Sequence, residues 1–202
     1  MVHLVSNYAV EHFLTKFRDQ DTTIYEATNC VDIISTFLAG EVSNLLNVKN
    51  SDVKTPLGIA NGMSIASNIQ IVPIIRAGMA MLPAFCKIFP NAITGPIWLS
   101  RNKDLSINIH GEKLQHNLKE FYTIIIDPML ATGNTADTTI SLAKSRGAQN
   151  IILVSILATP LGIERITKKY DIPMGGIYFR CFAVTLFWLM QETIEVLELD
   201  RK

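Results

Sequence analysis

The sequence predicts an α/β fold, a mostly parallel sheet flanked by helices. Stretches such as Ile124-Ile125-Ile126 and residues 150–157 are apolar at nearly every position, as strands buried on both faces require. Segments with helical spacing alternate with them, which implies βαβ units. A composition 49% hydrophobic and only 18% charged suits such a buried sheet, an oligomer interface, or both.

Residues 31–46 carry Ile34, Leu38, Val42, Leu45 and Leu46 at helical spacing, with Asp32 available to the first turn. Residues 47–63, with Pro56, Gly58 and Gly62, read as a loop or irregular excursion. The strand at 69–75 contains Pro73, which favours a strand end or a sheet edge. A helix over 79–89 follows, with Met79, Leu82, Phe85 and Ile88 on one face and Pro90 at its end. Residues 96–100 form a short strand, and the polar, weakly periodic stretch 101–119 reads as a mobile excursion. Residues 122–126 form a strand, and Ala136, Ile140, Leu142 and Ala143 place a helix from Asn134. After the strand at 150–157, Pro160 suits the first position of a helix reaching about Lys169, and 175–180 can supply a further strand. The 202 residues are expected to form a single domain.

Several classes of function are disfavoured. A net charge of zero gives no basic field for nucleic acid. No leader pattern and no run of about 18 apolar residues occurs, so a cytoplasmic location is expected and no membrane. Cys30, Cys86 and Cys181 lack paired or metal-ligand spacing, and His3, His12, His110 and His116 form no ligand cluster, so no zinc site is inferred.

The chemistry concentrates in Asp127-Pro128-Met129-Leu130-Ala131-Thr132-Gly133-Asn134-Thr135, at the carboxyl end of one strand and the start of a helix. Main-chain N–H groups entering a helix are unpaired and aided by its dipole, so this is a natural phosphate cradle. Small residues admit the anion closely, and the Thr132 and Thr135 hydroxyls add donors. An ordinary turn capped by Asn134 or Thr135 is the competing reading. Asp127 tilts the balance, because a carboxylate beside a phosphate loop can accept from sugar hydroxyls or meet a substrate-borne metal. The loop lacks the Gly-Lys-Ser/Thr ending of a P-loop, and no G-x-G-x-x-G follows a predicted strand. Two more strand ends carry arginine, Arg76 before Ala77-Gly78 and Arg101 before Asn102. A guanidinium fork matches phosphate oxygens, and ligands gather at the carboxyl ends of parallel strands.

The segments Ile71 to Met79, Ser100-Arg101-Asn102-Lys103 and Asp127 to Thr135 resemble those of uracil phosphoribosyltransferases, members of the type I phosphoribosyltransferases. Aspartate followed by proline in the loop is typical of that class. Weaker similarity touches residues 14–19, 41–43 and 158–164, so the resemblance spans about the first 170 residues. It implies a type I phosphoribosyltransferase fold with a small hood, and transfer of ribose 5-phosphate from 5-phospho-α-D-ribose 1-diphosphate to uracil, giving UMP and diphosphate. It further implies that Asp127 holds the ribose hydroxyls, that Ala131 to Thr135 bind the 5-phosphate, and that Arg76 and Arg101 take the diphosphate. Arg76 and Asp127 are then the catalytic candidates, and Pro128, Met129 and Leu130 complete the substrate loop. Mg²⁺ would arrive bound to the diphosphate and not in a protein cage; GTP as activator and a homodimer or higher homo-oligomer are further implications.

From about residue 172 the chain departs from the family. The expected Gly-Tyr-Ile-x-Pro-Gly-Leu-Gly-Asp-Ala-Gly-Asp-Arg stretch, which recognises uracil, is missing, so no uracil-binding residue is assigned. If the codons of Leu189, Gln191 and Glu192 end in G, reading from each third base across residues 189–193 gives Asp-Ala-Gly-Asp. The gene's nucleotide sequence separates such a frame change from a divergent tail, in which residues 179–199 form an apolar helix or strand. The second functional reading is a catalytically silent binder of the diphosphate with a regulatory or assembly role. A transferase for another base is a third.

Overall fold

The computed structural model describes residues 2–5, 7–101, 107–170 and 178–185, with 2–4, 101 and 178–185 described through the backbone alone. In chain order these form β1 (Val2–Leu4), α1 (Tyr8–Arg18), α2 (Ile24–Ser43), β2 (Val48–Thr55), β3 (Gly58–Ile65) and β4 (Asn68–Ile75). A 3₁₀ turn (Ala77–Ala80) leads to α3 (Leu82–Ile88), β5 (Ile93–Thr94), β6 (Ile97–Arg101) and β7 (Ile107–Glu112). Then come β8 (Phe121–Ile126), β9 (Met129–Leu130), α4 (Asn134–Ser145), β10 (Asn150–Ala158), α5 (Pro160–Tyr170) and β11 (Tyr178–Thr185). The main sheet runs β1-β11-β10-β8-β4-β6-β7, with β5 beside β4 and β9 beside β10, and only β6 and β7 pair antiparallel within it. The expected α/β architecture is therefore what the chain adopts.

Successive side chains of a strand point to opposite faces, and here both faces are covered. Ile71, Ile124, Ile126, Ile152 and Val154 join a core with Leu14, Ile34, Leu38 and Phe85 of the first three helices. Val72, Ile74, Ile125, Ile151 and Leu153 join a second core with Ile140, Ala143 and Ile166 of α4 and α5. That alternation explains why the central strands read as nearly continuous apolar runs.

Several boundaries differ from expectation. The helix placed at 31–46 begins at Ile24, because Thr23 and Glu26 form a reciprocal capping box, with Glu26 N–H donating to Thr23 Oγ1 at 3.3 Å and Thr23 N–H to Glu26 Oε2 at 3.1 Å. Helix α1 escaped the sequence reading; Asn7 caps it by accepting from Val10 N–H at 2.9 Å. The excursion expected at 47–63 is a β-hairpin, paired from Val48↔Ile65 to Thr55↔Gly58. Its turn is fixed by Thr55 Oγ1, which accepts from Leu57 N–H and donates to Gly58 O. Both hairpin faces are largely exposed, so no alternation marks it as a strand pair.

Pro73 does not mark an edge. Strand β4 lies inside the sheet, and Pro73 falls where it leaves β8, at the pair Pro73↔Ile126, and takes up β6 at Ile74↔Ile97. A residue without a donor is tolerated at that change of neighbour. The helix expected at 79–89 is a 3₁₀ turn followed by α3. The excursion expected at 101–119 contains β7, which folds back on β6; residues 102–106 lie outside the described residues. The strand expected at 175–180 is β11, beginning at Tyr178, with 175–177 outside the described residues. No described helix is long and apolar enough to cross a membrane.

Candidate active site

Three strands end on one side of the sheet and bring the expected residues together. Arg76, Ala77, Ser100, Asp127 and Thr135 all line one open cavity of about 280 Å³. Arg76 follows directly on β4 after a cis Ile75–Arg76 peptide. It is exposed, and no carboxylate among the described residues pairs with it. Gly78 lets this turn lie against β8: a Cβ there would stand 2.4 Å from Ile126 O and 3.2 Å from the Pro73 backbone. Arg101 is the last residue of β6, paired through the backbone with Ile107, another residue of the cavity wall. Its side chain lies outside the described residues. A larger cavity of about 360 Å³ opens at the opposite, amino ends of β4 and β8, beside Asn68 and Phe121, and touches none of these groups.

Asp127 leaves β8 with its N–H donated to Val154 O at 3.1 Å. Burial pushes its carboxyl up to about pKa 6, opposed by a hydrogen bond from Met129 N–H. Pro128 turns the chain, and its carbonyl accepts from both Ile156 and Leu157 N–H, at 3.1 and 2.9 Å, where β10 bulges. Met129 is exposed, whereas Leu130 is buried in the core below the loop.

Beyond Leu130 the backbone stops donating. Among the described residues, none of the main-chain N–H groups from Ala131 to Ala136 makes a hydrogen bond. Gly133 occupies the cap position of α4 with φ +78°, a conformation that favours glycine, and no side chain caps the helix. The capped-turn alternative is thus not what forms: Asn134 Oδ1 instead accepts from Arg165, and Thr135 faces the cavity. Thr132 Oγ1 is buried without a partner among the described residues. Uncapped first-turn amides and an orphan hydroxyl describe a receptor for acceptor oxygens. The one acidic side chain of that first turn, Asp137, is engaged by Lys169 Nζ at 2.6 and 2.8 Å and does not oppose an anion.

Mg²⁺ carried by a diphosphate fits this donor set. Among the described residues no group of three or more His, Cys, Asp or Glu side chains forms a cage, and Asp127 is the carboxylate at the cavity. A hard cation that keeps its waters and substrate oxygens needs no more protein ligands than that.

Sequence reasoning left Thr159, Gly162 and Arg165 without a role. Thr159 Oγ1 donates to Ala131 O at 2.6 Å, and Arg165 Nη1 donates to Thr132 O at 3.1 Å. A Thr-Pro pair opening a helix signals a cap, but nothing in it signals contact with a loop about thirty residues earlier.

A family model described as uracil phosphoribosyltransferase matches residues 4–175. A uracil phosphoribosyltransferase of Dictyoglomus turgidum is 37% identical over 172 residues, covering 84% of this chain and 83% of that protein. Among solved structures, the AQ2163 protein of Aquifex aeolicus superposes with a TM-score of 0.82 at 26% identity, covering 92% of this chain and 86% of that one. A hypoxanthine-guanine phosphoribosyltransferase of Bacillus anthracis shares the fold at 8% identity, TM-score 0.50, over 74% and 76% of the two chains.

Proposed function

The chain belongs to the uracil phosphoribosyltransferase family, an enzyme of the pentosyltransferase type, and from that premise we propose that it converts 5-phospho-α-D-ribose 1-diphosphate and uracil into UMP and diphosphate. The observation that carries this is the row of undonated amides from 131 to 136, which reaches through Thr135 the cavity lined by Asp127 and Arg76. In this reading the amides and the Thr132 and Thr135 hydroxyls hold the 5-phosphate, and Asp127 accepts hydrogen bonds from the ribose hydroxyls. Arg76 and Arg101 take the diphosphate.

The C1–oxygen bond breaks with its electron pair leaving on the diphosphate, uracil N1 closes on C1, and the N1 proton passes to solvent or to the departing group. Charge grows on the leaving oxygens as the sugar becomes oxocarbenium-like, so the guanidinium of Arg76 stabilises the transition state more than the ground state. Mg²⁺, when bound with the diphosphate, neutralises part of that charge. Little base catalysis is needed, and positioning supplies much of the rate.

The family match ends at residue 175, ahead of the region where the resemblance places the uracil-recognising stretch. A homodimer or higher homo-oligomer belongs to the same reading, supported by apolar side chains standing exposed on the β2–β3 hairpin, Leu57, Ile59 and Met63 among them. GTP activation comes from the resemblance, and a cytoplasmic setting belongs to the same reading.

Competition between bases tests the assignment: uracil is expected to be used in preference to cytosine and hypoxanthine, and equal use of hypoxanthine would refute it. Two predictions attach to the site. Ionised Asp127 accepts from ribose hydroxyls at both oxygens and more strongly than its protonated form, so kcat/KM for the diphosphate substrate should rise with pH through about 6 and level off above. The substrate's own phosphate titrates near there too; an acid limb unchanged in Asp127→Asn would assign the limb to substrate. Arg76→Lys replaces a fork with a point charge and should lower kcat by about tenfold or more. Unchanged turnover in steady-state assays would remove Arg76 from the chemistry.

A further inference from the structure

The cradle is a loop, and nothing within it keeps its amides aimed. The first turns of α5 do. Three consecutive carbonyls, Leu130 O, Ala131 O and Thr132 O, accept from Thr159 N–H at 2.9 Å, Thr159 Oγ1 at 2.6 Å and Arg165 Nη1 at 3.1 Å. In a planar trans peptide the C=O and the following N–H point in opposite directions. Holding those three carbonyls on the α5 side therefore turns the N–H groups of Ala131, Thr132 and Gly133 away from α5, and these are the first three amides of the undonated row.

The contact is close along its length. A Cβ on Gly162 would stand 2.5 Å from Ala131 O and 2.8 Å from Leu130 O, and Gly162 N–H in turn donates to Thr159 Oγ1 at 3.0 Å. On the other side, a Cβ on Gly133 would meet Arg165 Cδ and Gly162 O, each at 3.3 Å. The same Arg165 Nη1 also donates to Asn134 Oδ1. Asn134 is thereby drawn to α5, and the amide end of the helix stays uncapped.

We infer that Thr159 and Arg165 are positioning residues for the 5-phosphate: they hold the loop carbonyls so that its amides face the anion before substrate arrives. This rests on the proposed function for the identity of the anion. A cradle already oriented loses less on binding than one that must be ordered by its ligand. Arg165 sits behind the loop and touches the substrate only through it.

The test uses two probes on the full chain, ribose 5-phosphate and magnesium diphosphate, each titrated calorimetrically. The unaltered protein is expected to bind both. Arg165→Ala should weaken ribose 5-phosphate binding by about tenfold, the scale of one hydrogen bond from a charged donor, and leave magnesium diphosphate within about twofold. Arg165→Lys, which still donates, should recover part of the loss. Thr159→Val should behave like Arg165→Ala, while Thr159→Ser should match the unaltered protein. In turnover the same variants should raise KM for the diphosphate substrate more than they lower kcat. Arg165→Ala and Thr159→Val that bind ribose 5-phosphate normally would overturn the inference and leave the proposed function standing. An equal loss for both probes would also overturn it, because that marks general disruption. An unaltered protein that binds no ribose 5-phosphate would refute the proposed role of the loop itself, and the inference with it.

Discussion

Asp127→Asn is expected to lower kcat/KM for the diphosphate substrate by about a hundredfold while making the protein more stable at pH 7.5. The loss follows from replacing a charged acceptor of hydroxyl hydrogen bonds with a neutral amide, at about 1.5–3 kcal/mol for each charge-assisted bond. The gain follows from burial. The folded-state pKa of about 6 lies above the unfolded value near 3.9, so between those pH values the folded protein binds more protons than the unfolded one. Any stability that the protonated group contributes is complete below about pH 4 and is lost as pH rises through about 6. At neutral pH the buried charge therefore costs up to about 3 kcal/mol, which the amide removes. Thermal melts of the two proteins at pH 4.5 and 7.5 check the sign: the advantage of the Asn variant should be present at the higher pH and shrink at the lower. A variant less stable at both would mean that Asp127 serves the fold and not the ligand.

Gly78→Ala is expected to destabilise the protein by about 3 kcal/mol and to suppress activity with it. The new methyl group would stand 2.4 Å from Ile126 O and 3.2 Å from the backbone of Pro73. Main chain closes the site from both sides, so neither neighbour can rotate away. Relief requires the Arg76 turn to lift from the end of β8, which separates Arg76 from Asp127, the two ends of the proposed reaction. For a chain of this size the melting temperature should fall by about 10 °C. Gly40→Ala provides the contrast: it lies inside α2 with nothing within 4 Å of its Cβ position, and alanine there should be neutral or stabilising by up to about 1 kcal/mol. Equal melting temperatures for the two variants would show that the packing of Gly78 on β8 is not tight.

Those two residues illustrate what a sequence displays and what it conceals. Asp127 was legible as a candidate because an apolar strand ends on it and a small-residue loop follows, the acid and the loop occupying nine consecutive positions. Arg76 was legible for the same reason, as a charge at the close of an apolar run. The central strands were visible because both of their faces are buried, which leaves few polar residues in them, Gln70, Thr123 and Ser155 among these. The β2–β3 hairpin was hidden by the opposite condition, since a strand pair exposed on both faces has no alternation to read. Pro73 misled because the rule confining proline to edges concerns donors, and β4 changes partners at that residue. Start signals for α1 and α2 were present in Asn7 and in the Thr23/Glu26 pair, which the periodicity of the following apolar residues overshadowed.

The support behind the loop was not legible. Thr159 and Arg165 reach Ala131, Thr132 and Asn134 across about thirty positions, and only the packing of α5 against the loop brings them into contact. Three glycines make that approach and the neighbouring one possible: Gly133 and Gly162 where the loop meets α5, and Gly78 where the Arg76 turn meets β8. In one sequence a glycine of this kind cannot be told from any loop glycine.

The central claim is that this chain completes phosphoribosyl transfer to uracil, although its residues beyond about 172 do not resemble the family's uracil-recognising stretch. The most direct measurement is the formation of UMP and diphosphate by the purified 202-residue protein given 5-phospho-α-D-ribose 1-diphosphate, Mg²⁺ and uracil, with binding of the diphosphate substrate titrated in parallel. The account predicts both products in equal amounts, dependent on uracil and reduced about a hundredfold by Asp127→Asn. Saturable binding of the diphosphate substrate with no uracil-dependent product would contradict it.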